Sequence, residues 1–176
     1  MIGTMVNKYK VLRLLGQGGM GEVYEAVDES LERKVAIKIL LPEYAKDAEI
    51  VGRFFNEARS VNMINHPGLV QIFEFGSLPE GGAFLVMEYI AGISLRDHMK
   101  RGDPLSEMEV LQICLQLASA LAATHEKGIV HRDTYEKTMT CFLVSAKDAH
   151  RRRTSHGYSE AEDSSYSQLQ LVKSYY

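Results

Sequence analysis

Six residues near the start of the chain, Gly16-Gln17-Gly18-Gly19-Met20-Gly21, place four glycines in one short stretch. This leaves little freedom for what surrounds it. Glycine weakens the interior of a helix or strand because it surrenders the most backbone entropy on ordering. The same lack of a Cβ lets backbone N–H groups approach a phosphate-like oxygen closely. The flanks decide what kind of turn this is. Val11-Leu12-Arg13-Leu14-Leu15 reads as a strand running in, and Glu22-Val23-Tyr24-Glu25-Ala26-Val27 alternates with period two. A dinucleotide-binding glycine run would instead open a helix. The pattern therefore favours a glycine loop between two antiparallel strands, able to lie over a nucleotide as a flap. A purely structural hairpin remains open from these residues alone.

The rest of the chain to residue 133 keeps alternating apolar segments with turn signals. Residues 34–40 form a third strand rich in β-branched side chains, closed by Pro42. Residues 48–63 change to helical spacing, with Val51, Phe54, Ala58 and Val61 on one stripe, and His66-Pro67-Gly68 stops that helix. Residues 69–75 and 83–89 read as two more strands, joined through Pro79-Glu80-Gly81-Gly82. Residues 94–100 form a short helix. Residues 106–127 form a long one, with Ser106 as N-cap, Glu109 at the capping-box position and Gly128 as the stop. Its expected apolar stripe is Leu111, Cys114 or Leu115, Ala118 and Leu121.

On the third strand, Val35-Ala36-Ile37-Lys38 puts Ala36 and Lys38 on one face, because residues two apart share a face. A small apolar residue there can flank a base while the lysine reaches phosphate. In isolation the same residues describe an edge lysine beside a core valine. Glu57, three residues after Phe54, flanks the buried stripe of the following helix, where its carboxylate can pair with Lys38.

Composition excludes several classes. The net charge of −3 gives no overall basic field for nucleic acid. No apolar run approaches the roughly 18 residues of a membrane span, and the start lacks a signal-peptide pattern. The two cysteines, Cys114 and Cys141, have no metal-site or disulfide-framework spacing. A cytoplasmic protein is expected.

In order, GQGGMGEVY (16–24), VAIK, a helix with Glu57, HPGLV, VMEY and HRD closely resemble a protein kinase, and more narrowly the bacterial eukaryotic-like serine/threonine kinases. The resemblance covers about residues 9–133. It implies an α+β fold with a five-stranded antiparallel small lobe carrying one helix, and an incomplete helical large lobe. The implied divisions are an N-terminal extension at 1–8, the small lobe and hinge at 9–90, the start of the large lobe at 91–133, and a poorly ordered non-family tail at 134–176.

The resemblance also implies a site. Gly16, Gln17, Gly18, Gly19, Met20 and Gly21 would cover the phosphates of ATP, with Leu15, Val23 and Ala36 against the adenine. Lys38 would hold the α- and β-phosphates and pair with Glu57. Met87 would back the adenine pocket, Glu88 and Ile90 would offer hinge backbone groups, and Asp97 could reach the ribose or the substrate. Asp133, the last residue of His131-Arg132-Asp133, would accept the proton of the attacking hydroxyl. The implied partners are ATP with Mg²⁺ and a protein substrate, with a kinase–kinase dimer also admitted.

After Asp133 the family pattern stops. The family continues with L-K-P-x-N, whereas this chain reads Thr134-Tyr135-Glu136-Lys137-Thr138. Tyr135 stands where the catalytic-loop lysine belongs and Thr138 where the metal-binding asparagine belongs. No D-F-G follows, so the resemblance implies a chain that is inactive as written. Residues 134–176 hold seven serines, five of the nine tyrosines and Arg151-Arg152-Arg153, a composition typical of solvated segments. A change of reading frame near residue 134 accounts for so abrupt an ending. The alternative functions are a nucleotide-binding pseudokinase fragment and an interaction module without catalysis.

Overall fold

The computed structural model describes residues 1–102, 104–129 and 143–145. Six strands form one antiparallel sheet: β1 (Met5–Val6), β2 (Tyr9–Gln17), β3 (Gly21–Asp28), β4 (Arg33–Leu40), β5 (Ile72–Ser77) and β6 (Ala83–Glu88). Their spatial order is β1-β2-β3-β4-β6-β5. Two helices lie between β4 and β5, α1 (Pro42–Ala45) and α2 (Ala48–Asn62). After β6 come β7 (Gly92–Ser94), α3 (Leu95–Lys100), α4 (Glu107–Glu126) and β8 (Leu143–Ser145), and β7 pairs with β8. No described helix is long and apolar enough to cross a membrane.

The expected α+β architecture is present, but the sheet has six strands rather than five. The additional strand is β1, two residues too short to carry a hydrophobic period. Backbone bonds hold it: Gly3 N–H donates to the Val11 carbonyl at 2.9 Å, and Val11 N–H to that of Thr4 at 3.0 Å. The turn into β2 uses Asn7 at φ +52°, a left-handed conformation that asparagine tolerates.

One face of the sheet packs on α2. Ala36, Leu40, Val70, Ile72, Leu85 and Met87 cluster there with Phe54, Ala58 and Val61, the helical stripe expected from spacing except for the half-buried Val51. The opposite face buries Val11, Tyr24, Ala26, Val35, Ile37, Phe84 and Val86 without any helix residue. The sheet therefore curls to close this side with its own strands. With both faces covered, β3 loses the simple in–out alternation that its sequence suggests.

Chain ends are set by local chemistry. Asp47 caps α2, accepting from the N–H groups of Glu49 at 2.8 Å and Ile50 at 3.3 Å. Ser106 and Glu109 form the expected capping box at α4. Pro42 ends β4 and also opens α1, since its fixed φ suits a first helical position.

Two expectations need correction. The fifth strand begins at Ile72, not at residue 69. Leu69 is apolar because it packs with Ile64 against Ala120 of α4, fastening the α2–β5 loop to that helix. His66 strengthens this joint: its Nε2 lies 3.0 Å from the Ser119 Oγ, and its Nδ1 accepts the Gly68 N–H at 3.0 Å. The buried side of α4 is also not the expected stripe. Ile113, Ala120 and Thr124 face inward, while Leu111, Cys114 and Leu115 face outward.

Candidate functional site

Strand register assembles the site. Gly16 pairs with Val23, Val23 with Lys38, and Lys38 with Leu85. Two residues along, Arg13 pairs with Glu25, Glu25 with Ala36, and Ala36 with Met87. Rows two residues apart share a face, so Val23, Ala36, Lys38 and Met87 all lie on the α2 side of the sheet. Met20, Val23 and Ile90 pack against the cluster that contains Ala36, Leu85 and Met87. Five of the residues assigned to nucleotide contact thus meet at one apolar surface.

The glycine turn folds over the same region. Gly18 N–H donates to the Gly21 carbonyl at 2.8 Å, and Leu41 N–H to the Met20 carbonyl at 2.9 Å, bringing the turn onto the end of β4. A Cβ on Gly21 would lie 2.7 Å from the Ile39 carbonyl oxygen and 3.6 Å from Cε of Lys38. No side chain fits there. Gly16 and Gly19 differ, because a Cβ on either would meet nothing within 4 Å. Gly21 is therefore required by the chain's own backbone, whereas Gly16 and Gly19 leave open space beside exposed main chain that can admit phosphate.

Lys38 is only 4% exposed, and its Nζ stands 5.7 Å from the centroid of the Phe54 ring. A buried ammonium is costly unless charge or π-density answers it. Phe54 on α2 brings the aromatic face, and Glu57 lies one turn further along the same helix, at its exposed surface. Gln17 and Leu15 are exposed, Leu15 beside the register shift between Leu14 and Gly16. The Glu88 N–H is taken by the Gln71 carbonyl at 2.9 Å, so a backbone contact from Glu88 to a base must use its carbonyl. Asp97 serves the cap of α3, its N–H donating to the Ser94 Oγ at 3.0 Å.

Asp133, with the remainder of the HRD motif, Tyr135 and Thr138, lies outside the described residues. Among the described residues no group of three or more His, Cys, Asp or Glu side chains stands where it could hold a metal ion.

Sequence reasoning missed one feature of this face. Glu25 is buried between two cations, with Arg13 Nε and Nη2 each 2.7 Å from Oε2 and Lys34 Nζ 2.7 Å from Oε1. The hydrogen bond from Lys34, then that from Arg13, holds the Glu25 carboxyl below its ordinary range against the cost of burial. The period-two pattern of β3 places Glu25 with Val23 and Val27, and this was the available signal.

Comparison with known proteins gives a consistent result. A family model described as the protein kinase domain matches residues 9–147. The chain is 42% identical over 134 residues to the serine/threonine-protein kinase PrkC of Bacillus subtilis, covering 76% of this chain and 20% of that protein. It is 41% identical over 134 residues to the serine/threonine-protein kinase PknA of Mycobacterium tuberculosis, covering 74% and 31%. Among solved structures it is similar to the Mycobacterium tuberculosis PknI kinase domain, with TM-score 0.71 and 26% identity over 98% of this chain and 61% of that one. The chain spans about a fifth to a third of these curated relatives.

Proposed function

This chain belongs to the protein kinase domain family, and from that membership we propose that it is the nucleotide-binding portion of a serine/threonine protein kinase, unable to transfer phosphate as written. The observation that carries the reading is Lys38, a buried cation set beneath Gly21, a glycine that the turn cannot replace. Around it, Val23, Ala36 and Met87 offer apolar walls for a purine, and Glu88 and Ile90 border its edge. In this reading Lys38 draws the α- and β-phosphates inward, with Glu57 as its expected partner. The open main chain at Gly16 and Gly19 donates N–H groups to the same oxygens.

In the complete kinase reaction, Asp133 accepts the proton of a protein hydroxyl as that oxygen bonds the γ-phosphorus and ADP leaves. Positioning and charge neutralisation carry most of the rate in such a transfer. Tyr135 in place of lysine and Thr138 in place of asparagine remove two of the groups that would orient the phosphoryl group, and the absence of D-F-G removes a third. Among the described residues no group of three or more His, Cys, Asp or Glu side chains could hold the magnesium ion that the family uses.

The family match continues to residue 147, and β8 pairs with β7. The departure begins after Asp133, where Thr134-Tyr135-Glu136-Lys137-Thr138 replaces the family pattern, and the match does not extend past residue 147. A change of reading frame near residue 134 would produce such a departure, and resequencing the coding DNA beyond the Asp133 codon distinguishes it from a native truncation.

The test of the nucleotide reading uses the full chain. A fluorescent ATP analogue is titrated into wild type and Lys38→Met, and phosphate transfer from labelled ATP to casein is followed in parallel. Saturable binding that Lys38→Met abolishes, without transfer, is the expected result. Absence of binding by a folded, monodisperse wild type overturns the nucleotide reading, and measurable transfer overturns inactivity.

A further inference from the structure

The hinge is tied to the glycine strand by a network on the site's own face. Residues 85, 87 and 89 follow one face out of β6, so Tyr89 comes next after Leu85 and Met87. Its hydroxyl lies 3.4 Å from Arg13 Nη2, and Lys34 Nζ stands 5.4 Å from the centre of its ring. Both cations are the ones that Glu25 holds at 2.7 Å. One buried carboxylate on β3 thus aims a side chain from β2 and another from β4 at the same hinge residue.

Energetics make the arrangement more than a surface ion pair. The Arg13 and Lys34 side chains are 61% and 59% exposed, and pairs so exposed contribute little by themselves. The Glu25 side chain is 4% exposed, and a carboxylate so buried is costly unless both its oxygens are satisfied. Each oxygen has its own cation, so the pair is held in one geometry that a free surface arginine and lysine would not keep. The depressed Glu25 carboxyl agrees with this. The hinge segment that follows β6 begins under that fixed pair.

We propose that Tyr89, gripped by the Arg13–Glu25–Lys34 cluster, is a positioning residue that fixes the hinge at residues 88–90 relative to β2 and so sets the width of the adenine slot. The slot itself rests on the nucleotide reading given above. Tyr89 touches no reacting atom. It acts through the backbone of its neighbours Glu88 and Ile90, which border the base.

The test takes the full chain as wild type, Tyr89→Ala, Tyr89→Phe and Glu25→Gln. Amide hydrogen exchange without nucleotide follows peptides covering residues 86–92 and 33–40. Exchange at residues 89–91 should rise about tenfold in Tyr89→Ala and Glu25→Gln and less in Tyr89→Phe, with β4 unchanged. Unchanged hinge exchange, or an equal rise in β4, overturns the proposal. Binding of adenosine and of inorganic tripolyphosphate is then measured separately. A displaced hinge should weaken adenosine about tenfold and leave tripolyphosphate unchanged, while equal loss of both indicates a general fold defect and overturns the positioning role. A wild type that binds neither ligand overturns the nucleotide reading, and hydrogen exchange still decides whether the cluster holds the hinge.

Discussion

The Ile39 carbonyl oxygen lies 2.7 Å from the point where a Cβ on Gly21 would stand, so the last glycine of the turn is fixed by backbone contact. Real Cβ atoms do not approach that closely, and a carbonyl within a sheet ladder cannot swing aside. Gly21→Ala should therefore cost about 1–3 kcal/mol in urea unfolding. Gly16→Ala and Gly19→Ala meet no atom within 4 Å and should stay within about 0.5 kcal/mol of wild type. If those two weaken ATP-analogue binding while leaving stability alone, the open glycines serve a ligand. Equal destabilisation by all three would reduce the turn to a structural hairpin.

Lys38 allows stability and binding to be separated. Its ammonium is buried beside Phe54, and burial costs an ammonium its hydration, so a methionine of similar length gives back in apolar packing part of what the charge contributes. Lys38→Met should keep the unfolding free energy within about 1 kcal/mol of wild type and lower ATP-analogue affinity at least about tenfold. A loss of several kcal/mol of stability, with analogue affinity unchanged where the variant is still folded, would make Lys38 a structural lysine.

Much of this site was legible because it depends on local patterns. Val35-Ala36-Ile37-Lys38 specifies a strand face by parity alone, and the Ser106–Glu109 capping box marks α4 without tertiary information. What stayed hidden depends on distant partners. Nothing in residues 5–6 announces a strand, because β1 exists through backbone bonds to the segment after it. Leu69 looked like the start of a strand because hydrophobicity does not say whether a residue packs in a sheet or onto α4. The period of β3 puts Glu25 on the face of Val23 and Val27, but the cations from β2 and β4 that make its burial tolerable appear in no pattern within β3. Asp133 was legible as a motif and lies outside the described residues.

Tyr24 gives an alkaline signature. Burial first, and then the hydrogen bond from its hydroxyl to Glu22 at 2.6 Å, raise its phenol from 10.0 to about 12. Between these values the unfolded chain releases a proton that the folded chain retains, so stability falls as pH rises. The contribution is complete below about pH 10 and is lost by about pH 12. Tyr24→Phe should flatten that limb of a stability–pH curve and cost about 1 kcal/mol at neutral pH for the lost hydrogen bond. An unaltered alkaline limb in the variant would assign the fall to another group.

Helix α4 offers a test of facing. Met108, Leu111 and Leu115 are 62%, 52% and 61% exposed, whereas Ile113 packs with Leu95, Leu105 and Leu117. An uncovered apolar row of this kind promotes self-association. The double substitution Leu111→Gln with Leu115→Gln should leave the unfolding free energy within about 0.5 kcal/mol and reduce light scattering at high concentration. Ile113→Ala removes buried methyl groups and should cost about 2–4 kcal/mol. If the double variant loses as much stability as Ile113→Ala, the leucine row is covered in solution and α4 packs through the face that its sequence stripe suggests.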